Sequence, residues 1–97
     1  MTEIRISAES TPEIDALKER FRAFINGEVI PLEPLLDAGG ADAAQAMSGL
    51  KARAKELGLW ALGHPAEIGG GGLPFMDFVY LNEVIGRSYY GQQAVGS

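Results

Sequence analysis

Apolar residues recur at steps of three and four in the first quarter of the chain, which predicts an amphipathic helix. Thr11 is a favourable N-cap, and Pro12 suits the first helical position. Acidic residues follow, where they complement the positive end of the helix dipole. The apolar stripe consists of Ile14, Leu17, Phe21, Phe24 and Ile25. The interspersed charges predict a solvated opposite face, formed by Lys18, Glu19, Arg20 and Arg22.

A second amphipathic helix is predicted over residues 41–57, after a break in the first. Pro31 and Pro34 end or kink the first helix, because proline cannot continue the backbone hydrogen-bond ladder. Residues 35–40 are then predicted to be a connection. Lys51, Arg53 and Lys55 complement the dipole in the C-terminal half of the second helix. Its predicted buried stripe consists of Ala43, Met47, Leu50, Ala54 and Leu57.

Residues 58–73 predict a turn between helices. Gly58 can take the left-handed conformation that closes a helix, and Pro65 prevents helix continuation. Four glycines occupy positions 69–72. A phosphate-binding loop is one interpretation of them, but the run follows no predicted strand and lacks both P-loop and dinucleotide-binding order. A close-packed turn is favoured, preceded by an apolar plug of Leu59, Trp60 and Leu62.

The third predicted helix covers residues 74–86 and is apolar around much of its circumference, which indicates burial on more than one side. Asp77 and Glu83 lie six positions apart, do not share a helical face well, and are interpreted as solvated or capping charges. After a break at residues 86–88, Tyr89 and Tyr90 begin another element without obvious cover. The chain then stops without a C-cap or a charged tail, a pattern that predicts a truncated domain.

The composition predicts one small folded domain, or part of a larger protein. The chain has 97 residues, of which 46% are hydrophobic, and residues 1–10 are predicted to be an extended leader. A net charge of -5 argues against nucleic acid or an anionic membrane surface as the partner. No apolar run approaches membrane-spanning length, and there is no cysteine for a disulfide or thiolate metal site. We expect a soluble cytoplasmic protein.

The residues do not form a recognisable catalytic constellation. His64 is the single histidine, and no set of partners stands at metal-ligand spacing around it. Ser48 or Ser88 could serve as a nucleophile activated by His64, but no sequence motif supports either pairing. We therefore predict no catalytic, cofactor-binding or metal-binding residue within this chain.

Three stretches in order, residues 50–60, 64–73 and 77–88, resemble the N-terminal helical domain of the acyl-CoA dehydrogenases. That family carries a helix ending in a Leu-Gly pattern, a proline- and glycine-rich loop with a glutamate, and a helix ending in Gly-Arg-Ser. The resemblance covers about residues 12–97. Ala66, Ile68 and Asn82 depart from the family pattern, which indicates a divergent subfamily.

The resemblance implies a longer parent protein with a middle β domain and a C-terminal helical bundle. It implies FAD as the cofactor, a glutamate base outside this chain, and α,β-dehydrogenation of an acyl-CoA thioester. The resemblance also implies that the parent protein passes its electrons to an electron-transfer flavoprotein and that it forms a homo-oligomer. This chain alone is expected to be inactive. Its implied contribution is part of the wall of the acyl pocket, formed by Tyr89, Tyr90 and Gln93.

Two hypotheses follow. The first is an all-α N-terminal domain of three main helices plus the start of a fourth, spanning residues 11–97 of such an enzyme. The second is a stand-alone helical interaction module that binds a partner through its third helix and Tyr89 and Tyr90. Reading the gene beyond Ser97 would distinguish them.

Overall fold

The computed structural model describes residues 12–62, 72, 88 and 90–96. All regular structure within these ranges is helical and includes no strand, which confirms the predicted all-α class. The predicted leader, the Thr11 cap, the third helix and most of the glycine run lie outside the described residues. The described elements are α1 (Pro12–Phe24), a π-helical turn (Ile25–Val29), a 3-10 turn (Ile30–Leu32), α2 (Glu33–Ala38), α3 (Gly40–Glu56) and α4 (Gly91–Ala94).

The core forms where the predicted stripes of α1 and α3 are buried with the C-terminal segment. Ile14, Phe21, Phe24 and Ile25 are buried from the first stripe, while Leu17 packs against the core from a partly exposed position. The stripe of α3 is also confirmed, with Leu57 as its partly buried end. Its buried members are Ala43, Met47, Leu50 and Ala54.

The prediction that residues 35–40 are a connection was wrong, because each proline begins a new helical segment. Pro31 lies at the start of the 3-10 turn and Pro34 at the start of α2, where a missing N–H costs no hydrogen bond. Before them, the Ile30 N–H donates to the Ile25 carbonyl, five residues back, and closes the π-helical turn. The chain therefore changes direction through consecutive helical turns, and α2 contributes Leu36 to the core.

Gly58 ends α3 in a Schellman motif, as its predicted helix-closing role requires. Its φ is 73°, and its N–H donates to the Lys55 carbonyl at 3.1 Å. The Leu59 N–H reaches back to the Ala54 carbonyl at 2.8 Å, so two carbonyls of the last turn are satisfied. The chain thereby turns inward, and Leu59 is 1% exposed in the core. Trp60 and Leu62 pack against it, which confirms the apolar plug.

The same substitution, glycine to alanine, is expected to have opposite effects on stability at Gly49 and at Gly58. Gly49 lies inside α3, and a Cβ there meets no atom within 4 Å, so Gly49→Ala should stabilise the fold by about 0.5–1 kcal/mol. Gly58→Ala should destabilise it by about 1–2 kcal/mol, because alanine must adopt the left-handed conformation. Urea unfolding of both variants gives the two changes in free energy, and a stabilising Gly58→Ala would contradict the role assigned to this glycine.

Candidate functional site

We call Ser88 together with residues 90–96 the C-terminal segment. It contains two of the three predicted pocket-wall residues. Its first contact with α2 is made by Ser88. The Ser88 side chain is 3% exposed. Its hydroxyl accepts the Tyr90 N–H at 3.2 Å and donates to a carboxylate oxygen of Glu33 at 2.5 Å. A serine that accepts the N–H two residues ahead forms a compact turn. This turn leads directly into α4, whose Gly91 N–H donates to the Ser88 carbonyl at 3.0 Å.

A second hydroxyl–carboxylate bond lies one helical turn further along α2. The Tyr90 hydroxyl donates to Asp37 Oδ1 at 2.5 Å, and the tyrosine packs against the core from a partly buried position. The expectation that Tyr90 lacks cover was therefore wrong. Hydroxyl bonds to ionised carboxylates are short and stronger than those between neutral groups, so α2 holds the start of this segment at two points.

The other end of the segment is held by the core and by a backbone bond. Ala94 and Val95 are 0% and 1% exposed, and the Val95 carbonyl accepts the Ala61 N–H at 2.7 Å. Gly96, with φ 72°, closes α4, and its N–H donates to the Gln93 carbonyl at 3.2 Å. The prediction of a chain end without a C-cap was wrong, because this glycine and its bond supply one.

The three residues predicted to form the acyl-pocket wall differ in their surroundings. Tyr89 lies outside the described residues. The hydroxyl of Tyr90 is bound to Asp37, and the residue is partly buried against the core. Gln93 is exposed on α4. Their role in a pocket wall remains a prediction.

The residues that organise this segment, Glu33, Asp37 and Ser88, were missed by sequence reasoning. Glu33 and Asp37 are separated by four positions, the spacing that puts two side chains on one helical face. The spacing does not reveal a helix here by itself, because Pro31 and Pro34 predict an end or a kink of the helix. Ser88 was considered only as a nucleophile partner for His64, whereas its hydroxyl is bound to Glu33.

A second charged cluster joins the π-helical turn to α3. Arg53 Nε lies 3.1 and 3.2 Å from the two carboxylate oxygens of Glu28, and Arg53 Nη1 lies 3.0 Å from Glu56 Oε1. The hydrogen bond to Glu56, followed by that to Glu28 and its charge, raises the pKa of Arg53 above its usual value. Arg53 therefore remains cationic, and as an exposed ion pair it contributes little to stability.

This cluster borders a cleft of about 210 Å³. The guanidinium of Arg20 donates to the Leu57 carbonyl at the end of α3, and Phe24 and Leu59 supply apolar wall. Arg53 is bound to two carboxylates and Arg20 to a backbone carbonyl, so both guanidinium groups at this cleft have protein partners. We interpret these contacts as a structural connection between α1, the π-helical turn and the end of α3.

Neither a cluster of possible metal ligands nor a membrane-spanning helix occurs in the part of the chain that the structure describes. Within it, no three histidine, cysteine, aspartate or glutamate residues are grouped so that they could hold a metal ion. None of its helices combines the length and apolar character needed to cross a membrane.

Comparison with known proteins identifies the helical framework. The family model described as "Acyl-CoA dehydrogenase, N-terminal domain" matches residues 11–96. The chain belongs to this family. A mouse relative, "Acyl-CoA dehydrogenase family member 10" from Mus musculus, is 34% identical over an alignment of 93 residues that covers 86% of this chain. The chain spans 9% of the length of that acyl-CoA dehydrogenase family member, and no solved structure matches.

Proposed function

We propose that this chain is the N-terminal domain of an FAD-dependent acyl-CoA dehydrogenase, which catalyses α,β-dehydrogenation of an acyl-CoA thioester. The family match over residues 11–96 is the observation that carries the proposal. In this proposal residues 1–10 are an extended leader, and residues 11–97 are the domain. The middle β domain and the C-terminal helical bundle lie elsewhere in the parent protein, whose homo-oligomeric state and cytoplasmic location are part of the same proposal.

We infer that the flavin site is formed by other parts of the parent protein. All buried side-chain nitrogen and oxygen atoms within the described ranges have a hydrogen-bond partner. Within those ranges, no buried polar side-chain atom requires a cofactor as its hydrogen-bond partner. We therefore assign FAD, the catalytic base and the docking of an electron-transfer flavoprotein to other parts of the parent protein.

The role of this chain in the reaction is to provide a rigid part of the acyl-pocket wall through its C-terminal segment. The segment is suited to this role because its two ends are fixed, by α2 at Ser88 and Tyr90 and by the core at Val95. Rigid walls position a substrate and exclude water, and small errors in position cost rate. Gln93 lies between the fixed ends and is exposed, and we propose that it meets the acyl chain.

The proposed function is tested with the protein encoded by the complete reading frame. We expect it to show flavin absorbance and to oxidise at least one acyl-CoA when an electron acceptor is supplied. The 97-residue chain alone is expected to be colourless and inactive. A full-length protein that neither holds FAD nor oxidises any acyl-CoA in a series of chain lengths would overturn the proposal.

Replacement of Gln93 with leucine should alter the preference among acyl-CoA chain lengths. Because the side chain is exposed, the free energy of unfolding should change by no more than about 0.5 kcal/mol. A change of one apolar group in a pocket alters kcat/KM by roughly tenfold. Gln45→Leu, at an exposed glutamine of α3, serves as the matched control. Identical chain-length profiles for the two variants would remove Gln93 from the pocket wall.

A further inference from the structure

We propose that Glu33 and Asp37 are positioning residues that set acyl-chain selectivity by fixing the orientation of the C-terminal segment. The inference rests on the proposed function, because it assumes that this segment forms part of the acyl-pocket wall. It adds two residues from a distant part of the chain that do not themselves line the proposed wall.

The first step is the geometry of α2. Glu33 and Asp37 are separated by one helical turn, so their carboxylates emerge on the same face. Leu36, between them in sequence, is buried in the core with 7% exposure. The two carboxylates thus belong to an element that is anchored from its other side.

The second step is the match between these carboxylates and the hydroxyls they bind. Ser88 and Tyr90 are two positions apart, and each hydroxyl lies 2.5 Å from its own carboxylate oxygen. The Tyr90 N–H also donates to the Ser88 hydroxyl, so the serine connects the backbone of the segment to Glu33. Two separate bonds resist rotation of the segment, which a single bond would permit.

The third step is that α4 cannot hold its own orientation. It has four residues, Gly91–Ala94, and a helix this short is unstable without tertiary contacts. Its orientation is therefore determined by tertiary contacts, namely the bonds to α2, the packing of the buried Gly91 and Ala94, and the burial of Val95. Because Gln93 is part of α4, any rotation of the segment about Val95 moves Gln93 relative to a bound acyl chain.

The test is a double-mutant cycle in the full-length flavoprotein with Asp37→Ala, Tyr90→Phe and the double variant. Tyr90→Phe removes a single oxygen and keeps the ring that packs against the core. We expect each single variant to change the ratio of kcat/KM between the longest and shortest acyl-CoA by about 3- to 10-fold, and the double variant to change it no further. Asp37→Asn should restore the profile, because its carboxamide oxygen can still accept the hydroxyl.

Two controls separate positioning from general damage. Asp42→Ala removes an exposed carboxylate in the first turn of α3 and should leave the chain-length profile unchanged. Flavin content reports whether the fold of the enzyme persists. Hydrogen exchange at the Ala61 amide, which donates to the Val95 carbonyl, reports whether the far end of the C-terminal segment stays in place. If Asp37→Ala fails to fold, Tyr90→Phe decides the result alone.

The outcomes are distinguishable. A shifted profile in both single variants, with Asp37→Asn near the unmutated protein, supports the inference. An active Tyr90→Phe enzyme with an unchanged profile overturns it and leaves the proposed function intact. If the unmutated full-length protein oxidises no acyl-CoA, the proposed function fails and this inference fails with it.

Discussion

Replacement of Phe21 with alanine is expected to lower the free energy of unfolding by about 3–5 kcal/mol. The Phe21 side chain is 0% exposed and lies in α1 within the same buried cluster as Phe24 and Leu50. Truncation removes its apolar contacts and leaves a cavity that the surrounding helices can fill only in part. Small domains are stable by about 5–15 kcal/mol, so this one change would remove a large share of the total.

Urea unfolding followed by circular dichroism gives the measurement. Ile30→Ala is the control, because Ile30 is also a large apolar residue but is 37% exposed. Ile30→Ala should lower the free energy of unfolding by about 0.5 kcal/mol, as for other substitutions at the surface. Phe21→Leu, a smaller reduction in volume, provides a measurable variant if the alanine variant is unfolded. Equal costs at positions 21 and 30 would show that Phe21 does not lie in the core described here.

Gly96→Ala is expected to destabilise the docked C-terminal segment by about 2–5 kcal/mol, from two additive causes. A Cβ at this position would lie 2.9 Å from two atoms of the Trp60 ring, which is overpacking of the kind that costs about 1–3 kcal/mol. The backbone has φ 72°, and alanine in this region costs about 1–2 kcal/mol more than glycine. Trp60 cannot move freely, since it packs against the core and Lys55 Nζ lies 4.7 Å from the centre of its ring.

Trp60 provides the readout, because it is the single tryptophan of the 97-residue chain. Loss of the Gly96 contact should shift its fluorescence toward that of a solvated indole before the helices unfold. Gly27→Ala is the matched control, because a Cβ there meets no atom within 4 Å. An unchanged emission spectrum and unchanged stability for Gly96→Ala would contradict the close contact between Gly96 and Trp60.

The main helices and their buried faces could be predicted because their signals are local. The stripes from Ile14 to Ile25 and from Ala43 to Ala54 follow from helical periodicity alone. The helix-closing role of Gly58 follows from its lack of a side chain. In each case the residues that determine the structure are within a few positions of the structure they determine.

The attachment of the C-terminal segment could not be predicted because it depends on contacts between distant residues. Ser88 and Glu33 are 55 positions apart, and Tyr90 and Asp37 are 53 positions apart. Ala61 is a further example. It has φ 51°, which an alanine rarely adopts, and its N–H is bound to the Val95 carbonyl. Only the tertiary structure explains why this residue accepts a conformation that its own preference disfavours.

The π-helical turn was missed for a different reason. Proline was treated as a residue that stops a helix, whereas here the hydrogen-bond pattern changes from α to π to 3-10 before α2 begins. Periodicity analysis assumes one repeat along a segment and cannot represent such a change. The burial of both Ile25 and Val29 is consistent with either pattern, so the apolar positions alone did not distinguish them.

The burial of Ala94 and Val95 has a consequence for biosynthesis. Leu59 belongs to the same core as these two residues, and the Ala61 N–H is satisfied by the Val95 carbonyl. A nascent chain that has emerged only through α3 and the apolar plug therefore lacks part of the cover for Leu59 and the partner for Ala61. Domains emerging from the ribosome with exposed apolar surface are prone to misassociation. The rate of translation through the C-terminal segment thus determines how long the apolar surface around Leu59 stays exposed.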